Sequence, residues 1–181
     1  AGGGCGFISA TLSNLPDVSN VRPSASSQIY DVHGNLITTV HSTENRLPVP
    51  LKDVPKDLQN AFVATEDSRF YSHHGIDPVG ILRAVWVNIV HSGVSEGGST
   101  ITQQLARNAF LSQDRTFKRK ISEALLALKI EQHYTKDEIL EMYMNQIYFG
   151  QGAYGVQSAS HVYFGKDASQ LTLAQAALIA G

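Results

Sequence analysis

From Pro55 onward the hydrophobic and polar positions carry helical signals, whereas the earlier part of the chain carries short β-favouring runs. Gln28 to Val32 and Leu36 to Val40 flank His33-Gly34-Asn35, which predicts a hairpin. Pro55 fits the first turn of a helix running to about Glu66, and Asp77-Pro78 opens another to about His91. Further helices are predicted at about 99 to 109, 115 to 133 and 136 to 147, the last opened by a Thr135 to Glu138 capping box. Thr172 with Gln175 opens a final apolar pattern from Leu173 to Ile179. It stops at Gly181 in mid-pattern, as a piece cut from a longer chain would. In the helix over 115 to 133, Phe117, Ile121, Ala124, Leu125 and Leu128 are expected to form one buried stripe.

The fold class is therefore mainly α (α+β), with a short N-terminal β-hairpin. Residues 1–12 are small and Gly-rich and read as the end of an N-terminal membrane anchor. Residues 13–27 read as a Ser, Pro and Asn-rich connector, and 28–181 as one globular domain, truncated at its C-terminal end. His91 to Gly98, with three glycines, is expected to be a mobile loop. A formal charge of −2 provides no global basic field, which disfavours nucleic acid as a partner. The lone Cys5 cannot form an intramolecular disulfide and has no metal-binding spacing.

Three clusters could carry chemistry. Arg119 and Lys120 lie four and three residues before Glu123, so all three share one helical flank. Cations beside a carboxylate keep it ionised and offer donors to phosphate. Taken alone, the flank reads better as a solvated face with ion pairs worth about 0.3–0.5 kcal/mol each. Thr100, Gln103, Gln104 and Arg107 share a sector that suits sugar hydroxyls and phosphate oxygens, although in isolation an ordinary polar surface is the better reading; Ser99 reads as the N-cap. In Glu66-Asp67-x-x-Phe70-x-x-His73-x-Gly75 an acidic pair ends a helix, where the negative end of the dipole favours a proton-accepting role. Asp67 reads equally as a turn cap and Phe70 as core. His73 and His74 are adjacent and point apart, so no metal site is read there.

In this order, the motifs resemble the peptidoglycan glycosyltransferases, the glycosyltransferase family 51 domain of class A penicillin-binding proteins and their monofunctional relatives. Five runs carry the resemblance. They are Glu66-Asp67-x-x-Phe70-x-x-His73-x-Gly75; Gly98-Ser99-Thr100-Ile101-Thr102-Gln103-Gln104-Leu105; Arg119-Lys120-x-x-Glu123; Lys136-x-x-Ile139-Leu140-Glu141-x-Tyr143-Met144-Asn145; and Gly152-Ala153-Tyr154-Gly155 with Tyr163-Phe164-Gly165-Lys166. The likeness extends over about residues 13 to 181. Arg107 stands where the family more often has Lys, and Met144 where Leu is commoner.

The resemblance implies a lysozyme-like helical head beside a smaller, membrane-apposed jaw. It also implies an enzyme that polymerises lipid II into β-1,4-linked glycan strands with inversion at the donor anomeric carbon and release of polyprenyl diphosphate. Carried over residue by residue, Glu66 and Glu123 are the catalytic carboxylates. Asp67, Phe70, His73, Thr100, Gln104, Arg107, Asn108, Arg119 and Lys120 are the substrate-binding and supporting residues. No organic cofactor is called for, and a divalent cation (Mg or Mn) at the diphosphate is compatible with the chemistry. The implied partners are lipid II, a lipid-linked glycan strand, the bacterial cytoplasmic membrane and cell-wall synthesis proteins. The place is the extracytoplasmic face, held by an N-terminal transmembrane helix outside this fragment, and the parent is expected to be bifunctional. Two rivals are a lysozyme-like glycan-cleaving enzyme, which has no need of Arg107, Arg119 and Lys120, and a module that binds the precursor without turnover.

Overall fold

The computed structural model, which describes residues 15–19, 27–33, 36–40, 45–90, 97–111 and 116–181, is mainly α. The expected anchor end, more than half of the connector, the hairpin tip Gly34-Asn35 and most of the loop over 91–98 lie outside the described residues. The hairpin is present as β1 (Ser27–Tyr30) and β2 (Leu36–Val40), antiparallel, with an irregularity between Ile29 and Tyr30. β3 (Asn45–Arg46) follows. Four helices lie close to their predicted spans: α1 (Lys56–Glu66), α2 (Pro78–Val90), α3 (Ile101–Phe110) and α4 (Phe117–His133). α5 (Lys136–Gln146) and α7 (Leu173–Ala180) are also as expected, whereas β4 (Ala153–Tyr154) and α6 (Val156–Phe164) were not anticipated.

The chain divides into two compact units, Ala1–Val21 with Glu66–Ile139, and Arg22–Thr65 with Leu140–Gly181. In the first, α3 packs on α4. Ile101, Leu105 and Ala106 of α3 and Leu126, Ala127 and Ile130 of α4 are fully buried. Each large side chain so enclosed contributes about 1.5–3 kcal/mol. The expected stripe on α4 is corrected here. Phe117 is 82% exposed and Leu128 38%, while Ser122, Glu123, Leu126, Ala127 and Ile130 turn inward. From Ala124 to Leu128 every residue is apolar, so periodicity alone does not select the inner face. The selection is made at Ala127, where the backbone of Gly75 lies directly against the helix. A Cβ on Gly75 would stand 2.9 Å from the Ala127 carbonyl carbon and oxygen.

The second unit is tied by buried polar groups on α5 and α6. Asn145 accepts from the Val49 N–H and donates to the Val49 and Glu141 carbonyls, each at 2.9 Å. Glu141 accepts from the Leu51 N–H at 2.6 Å, and Ser158 from the Leu47 N–H at 2.9 Å. These bonds hold the strand-like segment that begins with β3, which pairs in parallel with β4. Phe62 packs edge-on against both Tyr143 and Phe149, with ring centroids 6.3 and 6.1 Å away. Both expected capping boxes are formed. Thr135 and Glu138 bond reciprocally at the head of α5, and Thr172 and Gln175 do the same at α7.

Gly75 has φ +80°, which disfavours a side chain, and the space a side chain would need is occupied by α4. Gly75→Ala is expected to destabilise the protein by about 2–4 kcal/mol, combining backbone strain with overpacking. Chemical denaturation of the two proteins side by side measures this; a loss under about 0.5 kcal/mol would contradict the close packing on Ala127.

Candidate active site

The site begins where α1 ends. Glu66, the last residue of that helix, is half-buried, and its Oε2 accepts a hydrogen bond from the Gln104 amide at 2.8 Å. Asp67 follows and is buried. Its two oxygens lie 3.0 and 2.9 Å from His73 Nε2. Asp67 Oδ2 also accepts from the Ile101 N–H at 3.1 Å. That amide belongs to the first turn of α3, whose N–H groups have no partner within the helix and whose dipole favours an anion.

Thr100 strengthens the same junction. Its hydroxyl donates to the Gly75 carbonyl at 2.7 Å and accepts from the Gln103 N–H at 3.1 Å, while Gln103 returns a bond to the Thr100 N–H. Thr100, not the expected Ser99, is therefore the N-cap, and its capping box with Gln103 opens the helix. Thr100 is 2% exposed with its hydroxyl engaged in both directions, so in this structure it works on the backbone. Phe70 is fully buried, edge-on to Tyr71 and His73. Arg69 and Asp77 form a two-point ion pair across the base of the segment.

Glu123 lies on α4 and is 1% exposed. Its Oε2 is 3.0 Å from the Lys120 ammonium. Arg119 Nε stands 3.4 Å from Oε1 without forming a hydrogen bond, so both atoms are buried and unsatisfied in that respect. The Lys120 ammonium also donates to Ser99 Oγ at 2.5 Å. Ser99 thus has a polar partner in place of the capping role expected of it. Arg107 is half-buried and Asn108 exposed on α3.

Four residues at or just before the start of α3 therefore tie it to this region, two of them directly to acidic groups. Ser99 meets the Lys120 partner of Glu123, Thr100 meets Gly75, Ile101 meets Asp67, and Gln104 meets Glu66. Such a site presents one carboxylate held by a neutral donor and another neutralised by a cation, beside further cationic donors. It suits proton removal from a hydroxyl coupled to the handling of a phosphorylated group. Among the described residues no group of three or more His, Cys, Asp or Glu side chains gathers as a metal site. Sequence reading missed the Arg69 to Asp77 pair, although Asp77 was visible as the residue opening α2.

The comparisons with known proteins agree with these motifs. A family model described as Transglycosylase matches residues 33–181. Penicillin-binding protein 1A of Escherichia coli (strain K12) is 53% identical over 175 residues, which is 97% of this chain and 20% of that protein. Penicillin-binding protein 1F of Bacillus subtilis (strain 168) is 51% identical over 156 residues, 86% of this chain and 22% of that protein. Penicillin-binding protein 1A of Aquifex aeolicus (strain VF5) is 49% identical over 177 residues, 96% of this chain and 24% of that protein. The chain thus spans between a fifth and a quarter of the length of these curated relatives.

The Asp77 carboxyl is pushed up by burial, but the Arg69 hydrogen bond, the Gly80 N–H and the guanidinium charge together outweigh this and hold it below its ordinary value of 3.8. A carboxyl lowered on folding adds stability that is full above its unfolded value and is lost as pH falls through the lower folded value. Arg69→Ala is expected to raise the Asp77 value and so move the acid-unfolding midpoint to higher pH. Circular dichroism followed from pH 6 to pH 2 reads this out, and an unmoved midpoint would count against the pair as an acid-stability element.

Proposed function

The chain belongs to the transglycosylase family, and on that premise we propose that it is the polymerising part of a peptidoglycan glycosyltransferase of bacterial cell-wall synthesis. The substrates are lipid II as acceptor and a lipid-linked glycan strand as donor, joined through a β-1,4 bond with inversion at the donor anomeric carbon. Inversion in one displacement needs a base at the attacking hydroxyl and charge stabilisation at the leaving diphosphate.

Glu66 is the base. Gln104 fixes one of its oxygens by a neutral hydrogen bond and leaves the other to take the acceptor proton. Glu123 stands with the leaving group, where Lys120 and Arg119 supply the cationic donors that offset the developing negative charge. Arg107 and Asn108 extend the phosphate-facing side along α3. Asp67, His73, Phe70 and Thr100 act on the backbone that carries Glu66, as their burial and bonding suggest. The observation that carries this reading is the start of α3, which bonds to Glu66 through Gln104 and to the Lys120 partner of Glu123 through Ser99. A divalent cation enters only as a companion of the diphosphate. Among the described residues no three or more His, Cys, Asp or Glu side chains gather to hold a resident ion.

The membrane partner has a surface to meet. Val79, Leu82, Trp86, Ile89 and Val90 recur at three- and four-residue spacing on α2, each more than half exposed. Among the described residues no helix is long and apolar enough to cross a membrane, so this stripe suits a helix lying on the bilayer surface. The words penicillin-binding in the names of the relatives are the ground for proposing a bifunctional parent.

In the full-length protein, Glu66→Gln is expected to lower polymerisation of fluorescent lipid-linked disaccharide pentapeptide by at least about 10²–10⁴-fold, the usual contribution of a general base. Gel separation of the glycan products measures it. Polymerisation within tenfold of the parent's rate would remove Glu66 from the role of base.

A further inference from the structure

The fourth motif of the sequence opens with Lys136, and the chemistry proposed above leaves this residue unused. Its ammonium lies 4.4 Å above the centre of the Phe70 ring, over the electron-rich face. Glu131 fixes it there. The Glu131 carboxylate, with its side chain 5% exposed, accepts from the Lys136 ammonium and from the Thr102 hydroxyl, both at 2.6 Å on the same oxygen. The next residue of α5 repeats the grip, since Asp137 accepts from the Tyr71 hydroxyl at 3.2 Å. Two successive residues at the start of α5 therefore hold two successive residues of the segment that follows Glu66.

These contacts close a ring. Glu66 bonds to Gln104 on α3; two residues earlier on that helix, Thr102 bonds to Glu131 on α4. Glu131 bonds to Lys136, Lys136 covers Phe70, and the Phe70 N–H donates to the Asp67 carbonyl at 2.9 Å, one residue from Glu66. A ring of contacts restrains the segment that carries Glu66, because displacing it breaks one of these part-buried polar bonds or lifts the ammonium from the ring. We propose that Lys136, set by Glu131, is a positioning residue that holds the Phe70 turn and thereby aims the Glu66 carboxylate.

The consequence for catalysis rests on the reading of Glu66 as the base; the consequence for local rigidity does not. In the full-length protein, Lys136→Met is expected to speed hydrogen exchange of the Phe70 and Ser72 amides about tenfold. Both are protected in turn hydrogen bonds, and the change is of the order a desolvated cation–π contact supports. Exchange at Leu126 and Ile130 of α4 should stay as in the parent. The same variant should lower kcat about tenfold with KM within about threefold, and Lys136→Arg, which keeps a cation over the ring, should recover most of both. The proposal is overturned by unchanged exchange at Phe70 and Ser72, by equal acceleration throughout α4, by a loss confined to KM, or by no recovery with arginine. If exchange responds as expected while Glu66→Gln leaves polymerisation intact, the clamp stands and the assignment of the base fails.

Discussion

The Asp67 carboxylate at the start of α3 is the contact on which the site depends. It is buried, it faces His73 with both oxygens, and it takes the Ile101 N–H that the helix cannot satisfy internally. A helix start without such a partner would bury an unsatisfied donor at a cost of about 1–3 kcal/mol, and an unpaired buried carboxylate would be costlier still. The two deficits cancel when segment and helix meet. The meeting also brings Glu66 within reach of Gln104 and places Thr100 against Gly75. Removing the Asp67 carboxylate would loosen the attachment of the whole segment, including residues it never touches.

Burial of Glu123 is the second constraint. A fully enclosed carboxylate inside a helix pair is weak evidence for stability, because the desolvation of two charges can exceed their attraction. Lys120 resolves part of the deficit, and it remains half exposed, with Ser99 as a second partner on the other side of the ammonium. Arg119 Nε and Glu123 Oε1 stay unsatisfied at 3.4 Å. Well-packed apolar residues would serve the fold at least as well, so the presence of this cluster fits a use outside folding.

How far the sequence revealed this depends on which physical signal each element carries. Capping boxes are local, so α5 and α7 were readable from Thr135 with Glu138 and from Thr172 with Gln175. The inner face of α4 was not. It is marked by Gly75, far away in the chain, which lies against the α4 backbone at Ala127 and Leu128. α6 was missed because its buried residues include Ser158, Ala159 and Ser160, small or polar groups that make no apolar stripe. Ser99 was read as a cap because local spacing allows that, while its actual partner Lys120 lies on another helix. Motif order singles out the named site residues, but which of them the fold encloses is not legible from it. Thr100, Asp67, His73, Phe70 and Glu123 are the buried ones, whereas Glu66, Gln104, Arg107 and Arg119 keep partial exposure.

The two acidic groups differ in the kind of partner each has, and that difference bears on how a single site could remove a proton and manage a leaving anion. An amide orients a carboxylate without neutralising it; an ammonium orients and neutralises together. Glu66 has the amide of Gln104 and partial solvent, whereas Glu123 has Lys120 and none. Exchanging the partners would compensate the charge of the proposed base and leave an uncompensated negative charge where a diphosphate is to depart. The roles proposed for them thus rest on environment, since both residues are glutamates with the same intrinsic chemistry. Gln104 lies on α3 and Ser99 just ahead of its N-cap, so this one stretch touches Glu66 directly and Glu123 through Lys120. A shift of α3 that loosened one carboxylate would disturb the other as well.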